Sequence, residues 1–351
     1  MSMVTEVADA VVGIDTHRDT HQVELATPAG RELASLEIPN SDAGFAILID
    51  WIGRHAPGPR VIVGIEGTRS YGIGVGRALL AAGLVVTEVE QPRAKQRRGK
   101  GKSDPIDAHH AVLSVLRMDA DRLPQPRADG DREALRILLI AREELVMIQT
   151  AQGNRLHALL LSGDDTDRQL TRGKFTKGRL ELIAARALPA AADRADQVRH
   201  HELVRLASSL LELRTQLAAN NATIRTITDD IAPGLTDRIG IGPVTTAQAI
   251  VSYSHVGRIP TEAAFAALAG TAPIPADSGQ RSGRHRLNRG GDRALNRAVH
   301  TIALTRMRSC ERTRAYVAKR RAEGKTNREI RRAIKRYISR ELYRALTPTL
   351  G

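Results

Sequence analysis

AVVGID (residues 10–15) and PRVIVGIE (59–66) are apolar runs of strand composition, and they end on the carboxylates Asp15 and Glu66. Between them, HQVELATP (21–28) and RELASLEIP (31–39) alternate apolar residues (Val23 and Leu25; Leu33, Leu36 and Ile38) on either side of a turn at Gly30. That spacing predicts two more strands in an antiparallel meander with the first. Ser41 is an N-cap for GFAILIDWIGRH (44–55), where Phe45, Leu48, Ile49 and Ile52 recur at helical intervals. Further along, YGIGVGRALLAAG (71–83) predicts a helix closed by Gly83, and LVVTEV (84–89) a fifth strand. SDPIDAHHAVLSVLRM (103–118) predicts a helix capped by Ser103 with Pro105 in its first turn.

Three strands, helix, strand, helix, strand, helix is the order of a ribonuclease H-like α/β domain, a mixed sheet with helices packed on it. In that arrangement Asp15 and Glu66 stand at the C-terminal ends of buried strands, where ligands collect on α/β sheets. Asp104 and Asp107 are three apart and share one face of the last helix near its start. Singly, Asp15 reads as a turn former and Asp104 as a helix-start acid. Together the four acids repel unless a cation neutralises them, and an all-oxygen set suits Mg²⁺ or Mn²⁺. Such ions activate a nucleophile and hold a leaving oxygen in phosphodiester chemistry. His17, His21, His109 and His110 have no zinc spacing, and His109 and His110 read as helix-surface residues.

The segment PRAKQRRGKGK (92–102) sets Arg93, Lys95, Arg97, Arg98, Lys100 and Lys102 beside the acids, a phosphate-holding loop or a plain solvated one. From Asp131 to Leu161 the chain is helix-prone. Leu203, Leu206, Leu210, Leu213, Leu217, Asn220, Ile224, Ile227 and Ile231 then follow at spacings of three and four, a coiled-coil seam with one polar core position. Its partner is either the 131–161 segment or another subunit. In 235–254, Gly240, Gly242 and Pro243 turn the chain between two apolar stretches like a helix-hairpin-helix, a device for holding phosphate. The following TAPIPADSGQRSGRHRLNRGGDRALNRA (271–298) holds Ser278 and Ser282, each before a glycine, among Arg281, Arg284, Arg286, Arg289, Arg293 and Arg297. A serine attacks a phosphodiester when arginines neutralise the developing charge and a base takes its proton.

The charge balance agrees. The chain of 351 residues carries a net charge of +14, and residues 281–351 hold 21 Lys+Arg against 5 Asp+Glu, leaving 32 against 34 elsewhere. A basic C-terminal fifth points to a polyanionic partner. Aromatics at 3% make stacked bases a poor basis for recognition, and one cysteine, Cys310, excludes a disulfide framework and a Cys-rich zinc site. No apolar run approaches a membrane span, and the expectation is a cytoplasmic protein.

GIDTHRDTHQV (13–23), VIVGIEGT (61–68), KSDPIDA (102–108) and PIPADSGQRSGRHRLNRGGDRALNRA (273–298) resemble, in order, the blocks of the DEDD transposases of the insertion-sequence-110 type, which include the Piv recombinases. The resemblance implies a RuvC-like domain (1–125), a helical coiled-coil region (126–232) and a mainly helical C-terminal transposase domain with the Ser-Gly loop (233–351). It maps the DEDD acids to Asp15, Glu66, Asp104 and Asp107, and the nucleophile to Ser278, with Ser282 as the rival. Where the family commonly has a second serine just before the nucleophile, this chain has Asp277. It further implies recombination of donor and target DNA through a phosphoserine, a homo-oligomer with composite sites, and guidance by a structured bridge RNA encoded by the element. The competing expectation is a RuvC-like endonuclease that cuts branched DNA with a metal-activated water.

Overall fold

The computed structural model describes residues 2–89, 104–127, 129–188, 192–255, 258–275, 285–287 and 290–350. After a single turn of helix, α1 (Val4–Val7), three strands form the expected meander: β1 (Ala10–Thr16), β2 (Thr20–Ala26) and β3 (Glu32–Pro39). Helix α2 (Asp42–His55) follows, its first turn capped by Ser41, whose Oγ accepts from the Gly44 N–H. β4 (Val61–Glu66) adds parallel to β1, and after α3 (Ile73–Ala81), β5 (Val85–Val89) adds parallel to β4. The five strands lie in the order β3-β2-β1-β4-β5, a mixed sheet.

Strand alternation sorts the sheet's two faces. Val12, Ile14, Val23, Leu25, Val63 and Ile65 point to one side, against Phe45 and Leu48 of α2 and Val75 and Leu79 of α3. Val11, Ala26, Ile62 and Val89 point to the other, against Ala111, Val112 and Val115 of α4 (Asp104–Leu116). Both faces are covered, and this is why β1 and β4 are nearly continuous apolar runs.

A pair of glycines seats α4. Gly13 and Gly64 face each other in register on β1 and β4. A Cβ on Gly13 would lie 2.3 Å from the Ala108 carbonyl, and one on Gly64 would lie 2.3 Å from Val115 Cγ2. The helix therefore rests directly on strand backbone. Its later residues Leu113 and Leu116 lie by Gly30, at the N-terminal side of β1, so its first turn is aimed at the other end of the strand, toward Asp15.

The remaining helices are α5 (Gly130–Leu161), α6 (Asp165–Leu170), α7 (Lys177–Ala184), α8 (Arg194–Ile231), α9 (Pro243–Tyr253), α10 (Glu262–Leu268), α11 (Arg293–Ser309), α12 (Glu311–Ala322) and α13 (Asn327–Leu346), with a short antiparallel pair β6 (Pro273–Pro275) and β7 (His285–Leu287). The chain forms two discontinuous units, one of Met1–Glu133, Ser252–Gly291 and Ser339–Gly351, the other of Ala134–Val251 and Asp292–Ile338. No helix among the described residues is long and apolar enough to cross a membrane.

In the second unit α8 packs on α5 of the same chain. Leu156 and Leu160 of α5 share a core with Leu180 and Ile183 of α7 and with Leu203, Leu206, Leu210 and Leu213 of α8. The seam departs from the expected heptads at its end: Asn220, Ile224 and Thr228 are buried, and Ile227 and Ile231 only partly so. Successive steps of four follow the ~3.6-residue turn of a straight helix and drift off a strict seven-residue repeat. A second difference lies at 232–242, which forms turns where an apolar helix was expected before Pro243. Gly240, at φ 83°, holds the left-handed turn that delivers the chain into α9.

Asn220 is 9% exposed; its Nδ2 donates to the Leu138 carbonyl of α5 at 3.0 Å, while its Oδ1 is buried without a hydrogen-bond partner. Replacing it with Leu removes a buried unsatisfied oxygen. Asn220→Leu is expected to raise the melting temperature by a few degrees, about 1 kcal/mol, in a thermal scan. A lower melting temperature would mean that the Leu138 bond outweighs the stranded oxygen.

Candidate active site

Asp15 and Glu66 end neighbouring parallel strands on the face that α4 covers, since each lies two residues beyond the glycine beneath that helix. Each is only 5% exposed. Two carboxylates buried side by side are stable only with positive charge or strong donors close by. His17 Nε2 lies 3.1 Å from Asp15 Oδ2. Thr16 Oγ1 donates to the Glu66 carbonyl at 2.8 Å and ties the two strand ends together. Gly67 then turns the chain at φ 76°, where a Cβ would stand 2.7 Å from Thr16 Oγ1.

The third and fourth acids belong to α4. Asp104 is its first residue, and its side chain lies outside the described ones; Asp107 is half-buried, one residue before the carbonyl that covers Gly13. Among the described residues no three His, Cys, Asp or Glu side chains close into a metal-binding group. The donor chemistry still fits a hard cation: two buried carboxylates share one face, and the helix start bearing the other two acids is aimed at them. Farther along α4, His109 Nδ1 lies 2.7 Å from Glu24 Oε1, and Glu24 is buried on the same sheet face. His109, expected at the helix surface, is thus tied to the sheet.

The sequence reading passed over a fifth acid. Glu88 on β5 points to the opposite face, in register with Ile65, and is 7% exposed. Burial pushes its carboxyl up, but hydrogen bonds and charge from Arg127, with Thr68 and Arg69, outweigh that and hold it below the usual range. Arg127 Nε donates to Oε2 at 2.8 Å, and a second guanidinium N–H reaches Oε1. Since the two charges neutralise each other, we assign Glu88 to the scaffold. Glu88→Gln leaves Arg127 buried without its counter-charge, and roughly 3 kcal/mol of stability is expected to go. A carboxyl with a lowered pKa contributes stability above pH 4.5 and loses it as pH falls through the folded value, so the gap from wild type should close in acid. Melting curves from pH 7 to pH 3 check this; a gap constant with pH would refute the ion pair.

The same cluster reaches His255, held neutral at a pKa of about 4 by burial and then by Arg258, Arg127 and Arg132. Its Nε2 accepts the Gln125 N–H at 3.2 Å, so the proton sits on Nδ1, 3.1 Å from Ser254 Oγ. Ser254, at φ 74° and 5% exposed, resembles an activated serine at first sight. An imidazole that donates to the hydroxyl cannot also take its proton, and Ser254 is thereby excluded as a nucleophile.

Ser278 and Ser282, with Arg281, Arg284 and Arg289, lie outside the described residues, as do Arg93, Lys95, Arg97, Arg98, Lys100 and Lys102. What is described is their frame. β6 and β7 pair Pro275 with His285 across the two ends of the serine segment, and Arg286 follows in β7. Arg293 begins α11 and is exposed, whereas Arg297 is engaged with Glu143 at 3.0 Å.

A five-stranded mixed sheet with buried acids at its strand ends, followed by a basic helical region, is the arrangement of an enzyme that works on nucleic acid, and the sequence comparisons name the class as transposase. A DEDD transposase model of the IS110 kind matches residues 12–163, and the transposase model of the IS116/IS110/IS902 family matches residues 234–318. The chain belongs to the IS110 family of insertion-element transposases. It is 25% identical to the 43.6 kDa protein of insertion element IS110 from Streptomyces coelicolor, over 92% of this chain and 90% of that one. It is 28% identical to the 44.8 kDa protein of IS116 from Streptomyces clavuligerus, over 89% and 88%. With the 42 kDa protein of IS900 from Mycobacterium paratuberculosis it shares 26% identity over 89% of each.

Proposed function

We propose that this transposase recombines donor and target DNA through a serine nucleophile, Ser278, working with a divalent-metal site of Asp15, Glu66, Asp104 and Asp107. The observation that carries the reading is the pairing of Asp15 and Glu66 at the ends of adjacent strands beneath the start of α4. Mg²⁺ or Mn²⁺ bound there supplies charge neutralisation and Lewis-acid activation at a phosphodiester. Asp15 and Glu66 hold their carboxylates fixed on strand backbone, and His17 orients Asp15 from 3.1 Å. Ser278 Oγ bonds to phosphorus as the phosphorus–oxygen bond of the DNA breaks; the serine proton leaves with a base and the departing oxygen gains one. Attack by a DNA hydroxyl then reverses the sequence, so bond energy is kept and no cofactor is consumed. Arg281, Arg284, Arg286, Arg289 and Arg293, with the cations of 92–102, neutralise phosphate along the path.

The wider reading keeps the family architecture: a RuvC-like segment 1–125, a coiled-coil segment 126–232 and a transposase segment 233–351. It also includes a homo-oligomer, a cytoplasmic place of work, and a structured bridge RNA whose base pairing reads sequence, a role for which a chain with 3% aromatics has few stacking side chains of its own. The alternative is a RuvC-like endonuclease for branched DNA, in which a metal-activated water takes the place of Ser278; the buried acids Asp15 and Glu66 serve either reading.

Covalent trapping separates the two. The protein is mixed with Mg²⁺, DNA carrying the element's junction and RNA transcribed from its flank, and run on a denaturing gel. A protein–DNA adduct in wild type and Ser282→Ala, absent in Ser278→Ala, is the expected result. Cleavage that persists with no adduct in any variant would establish the endonuclease instead.

A further inference from the structure

Glu24 puts a buried carboxylate in β2 at a position where an apolar side chain would pack more simply. It pairs with Gly13 of β1, so its side chain rises on the α4 face of the sheet, beside the glycine on which that helix rests. There Oε1 accepts the His109 Nδ1–H at 2.7 Å, since an ionised carboxylate only accepts. Asp15 stands on the same face, two residues along β1 from Gly13. The flanks of α4 can be told apart by what they touch. The Ala111 carbonyl and Val115 reach Gly64 of β4, whereas Leu113 and Leu116 reach Gly30 in the turn after β2. Asp107 lies one helical turn before Ala111, and His109 one turn before Leu113. The acid therefore belongs to the β4 flank and the histidine to the β2 flank.

We propose that Glu24 and His109 are positioning residues for the reaction, a clamp that fixes the roll of α4 so that Asp107 is held toward Asp15 and Glu66. Gly13 sets how closely the helix approaches the sheet, but a contact of backbone on backbone leaves rotation about the helix axis open. The small apolar residues Ala111, Val112 and Val115 tolerate such a rotation as well, because hydrophobic contact is not directional. A charge-assisted hydrogen bond does not tolerate it. A roll of about 20° carries a carboxylate ~5 Å from the axis through roughly 2 Å. Metal–ligand distances hold to within about 0.2 Å, so a helix free to roll by that much cannot keep its acid on a cation. Stability does not account for the pair, since apolar residues of similar volume in place of a buried charged pair leave a fold as stable or more so. What such a pair supplies is one fixed register. The inference rests on reading the four acids as a divalent-metal site, and it adds two residues that act through α4 and touch neither metal nor DNA.

The test sets metal binding against stability in the full-length chain. Binding of Mn²⁺ is followed by the paramagnetic resonance of the free ion, and melting is recorded without metal. A chain carrying both Glu24→Leu and His109→Leu should bind Mn²⁺ about ten- to a hundredfold more weakly than wild type, the usual loss when a group that orients a metal ligand is removed. Its metal-free melting temperature should hold or rise. Glu24→Gln keeps an acceptor for the imidazole and should bind Mn²⁺ nearly as wild type does. Asp15→Asn is the reference for the site itself. If it binds Mn²⁺ no differently from wild type, the metal reading falls and the clamp with it. If it binds more weakly while the double Leu variant does not, the clamp alone is overturned. A double Leu variant that loses melting temperature along with binding makes the pair ordinary scaffold and overturns the proposal. So does a Glu24→Gln chain that binds as poorly as the double variant, because charge at Glu24 would then matter in place of the hydrogen bond.

Discussion

Asp15→Asn is expected to reduce Mg²⁺-dependent DNA cleavage by on the order of a thousandfold while the melting temperature moves little. The asymmetry follows from where the residue sits. Asp15 is 5% exposed at the end of β1 and faces Glu66 in a site that gathers negative charge. Asn keeps the shape and relieves repulsion between buried carboxylates, so the fold does not suffer. The lost unit of charge is one that would hold a divalent ion, and ions of this kind supply several kcal/mol of transition-state stabilisation, each ~1.4 kcal/mol being tenfold in rate. Single-turnover cleavage of labelled junction DNA across a Mg²⁺ titration is the measurement. Undiminished activity would remove Asp15 from the metal site. Activity restored by high Mg²⁺ would instead identify a weakened but functioning site, with Glu66 and the α4 acids carrying the ion.

The second large effect is on the scaffold. Gly13→Ala should cost roughly 3 kcal/mol, because overpacking of this kind has no flexible side chain to absorb it. The added methyl would stand 2.3 Å from the Ala108 carbonyl and 2.7 Å from the Val112 nitrogen, both backbone atoms of α4. Either α4 lifts from the sheet, taking Asp104 and Asp107 away from Asp15, or the unit unfolds. Both outcomes abolish cleavage, and the first should reveal itself as lost activity in a protein that still melts cooperatively. Gly53→Ala on α2 is the matched control: nothing lies within 4 Å of its Cβ, and a helix-interior alanine is about 0.5–1 kcal/mol better than glycine. The two substitutions should shift the melting temperature in opposite directions, and a shared direction would contradict the packing of α4 on β1.

Much of the first unit was legible because its signals are local. An alternating or continuous apolar run, a turn glycine and a capping serine are set by backbone sterics and hydrogen bonding within a few residues, and β1 to β5 and α2 to α4 fall where those signals put them. The positions of Asp15 and Glu66 follow as well, since a carboxylate that ends a buried strand has few places to go. Less could be read where the structure depends on partners far away in the chain. Glu88 lies in a strand as apolar as the others, and nothing nearby announces Arg127 or His255 as the groups that neutralise and enclose it. His109 has the look of a surface residue until Glu24, 85 positions earlier, is brought under it. The seam on α8 was visible, but not that its last turns would bury Thr228 in place of Ile227 and Ile231.

By itself, then, the sequence determined the order of the strands, the acids at their ends, the family, and the basic C-terminal region, all properties of short-range pattern and composition. Tertiary structure alone decided that the segment 252–291 joins the unit of the acidic sheet, that α8 takes α5 of its own chain as its partner, and that the other face of α5 stays open. The physical reason is that a helix with two apolar stripes does not state which one its own chain will cover; only the packing of α8 against α5, with Asn220 fixed on the Leu138 carbonyl, makes that choice.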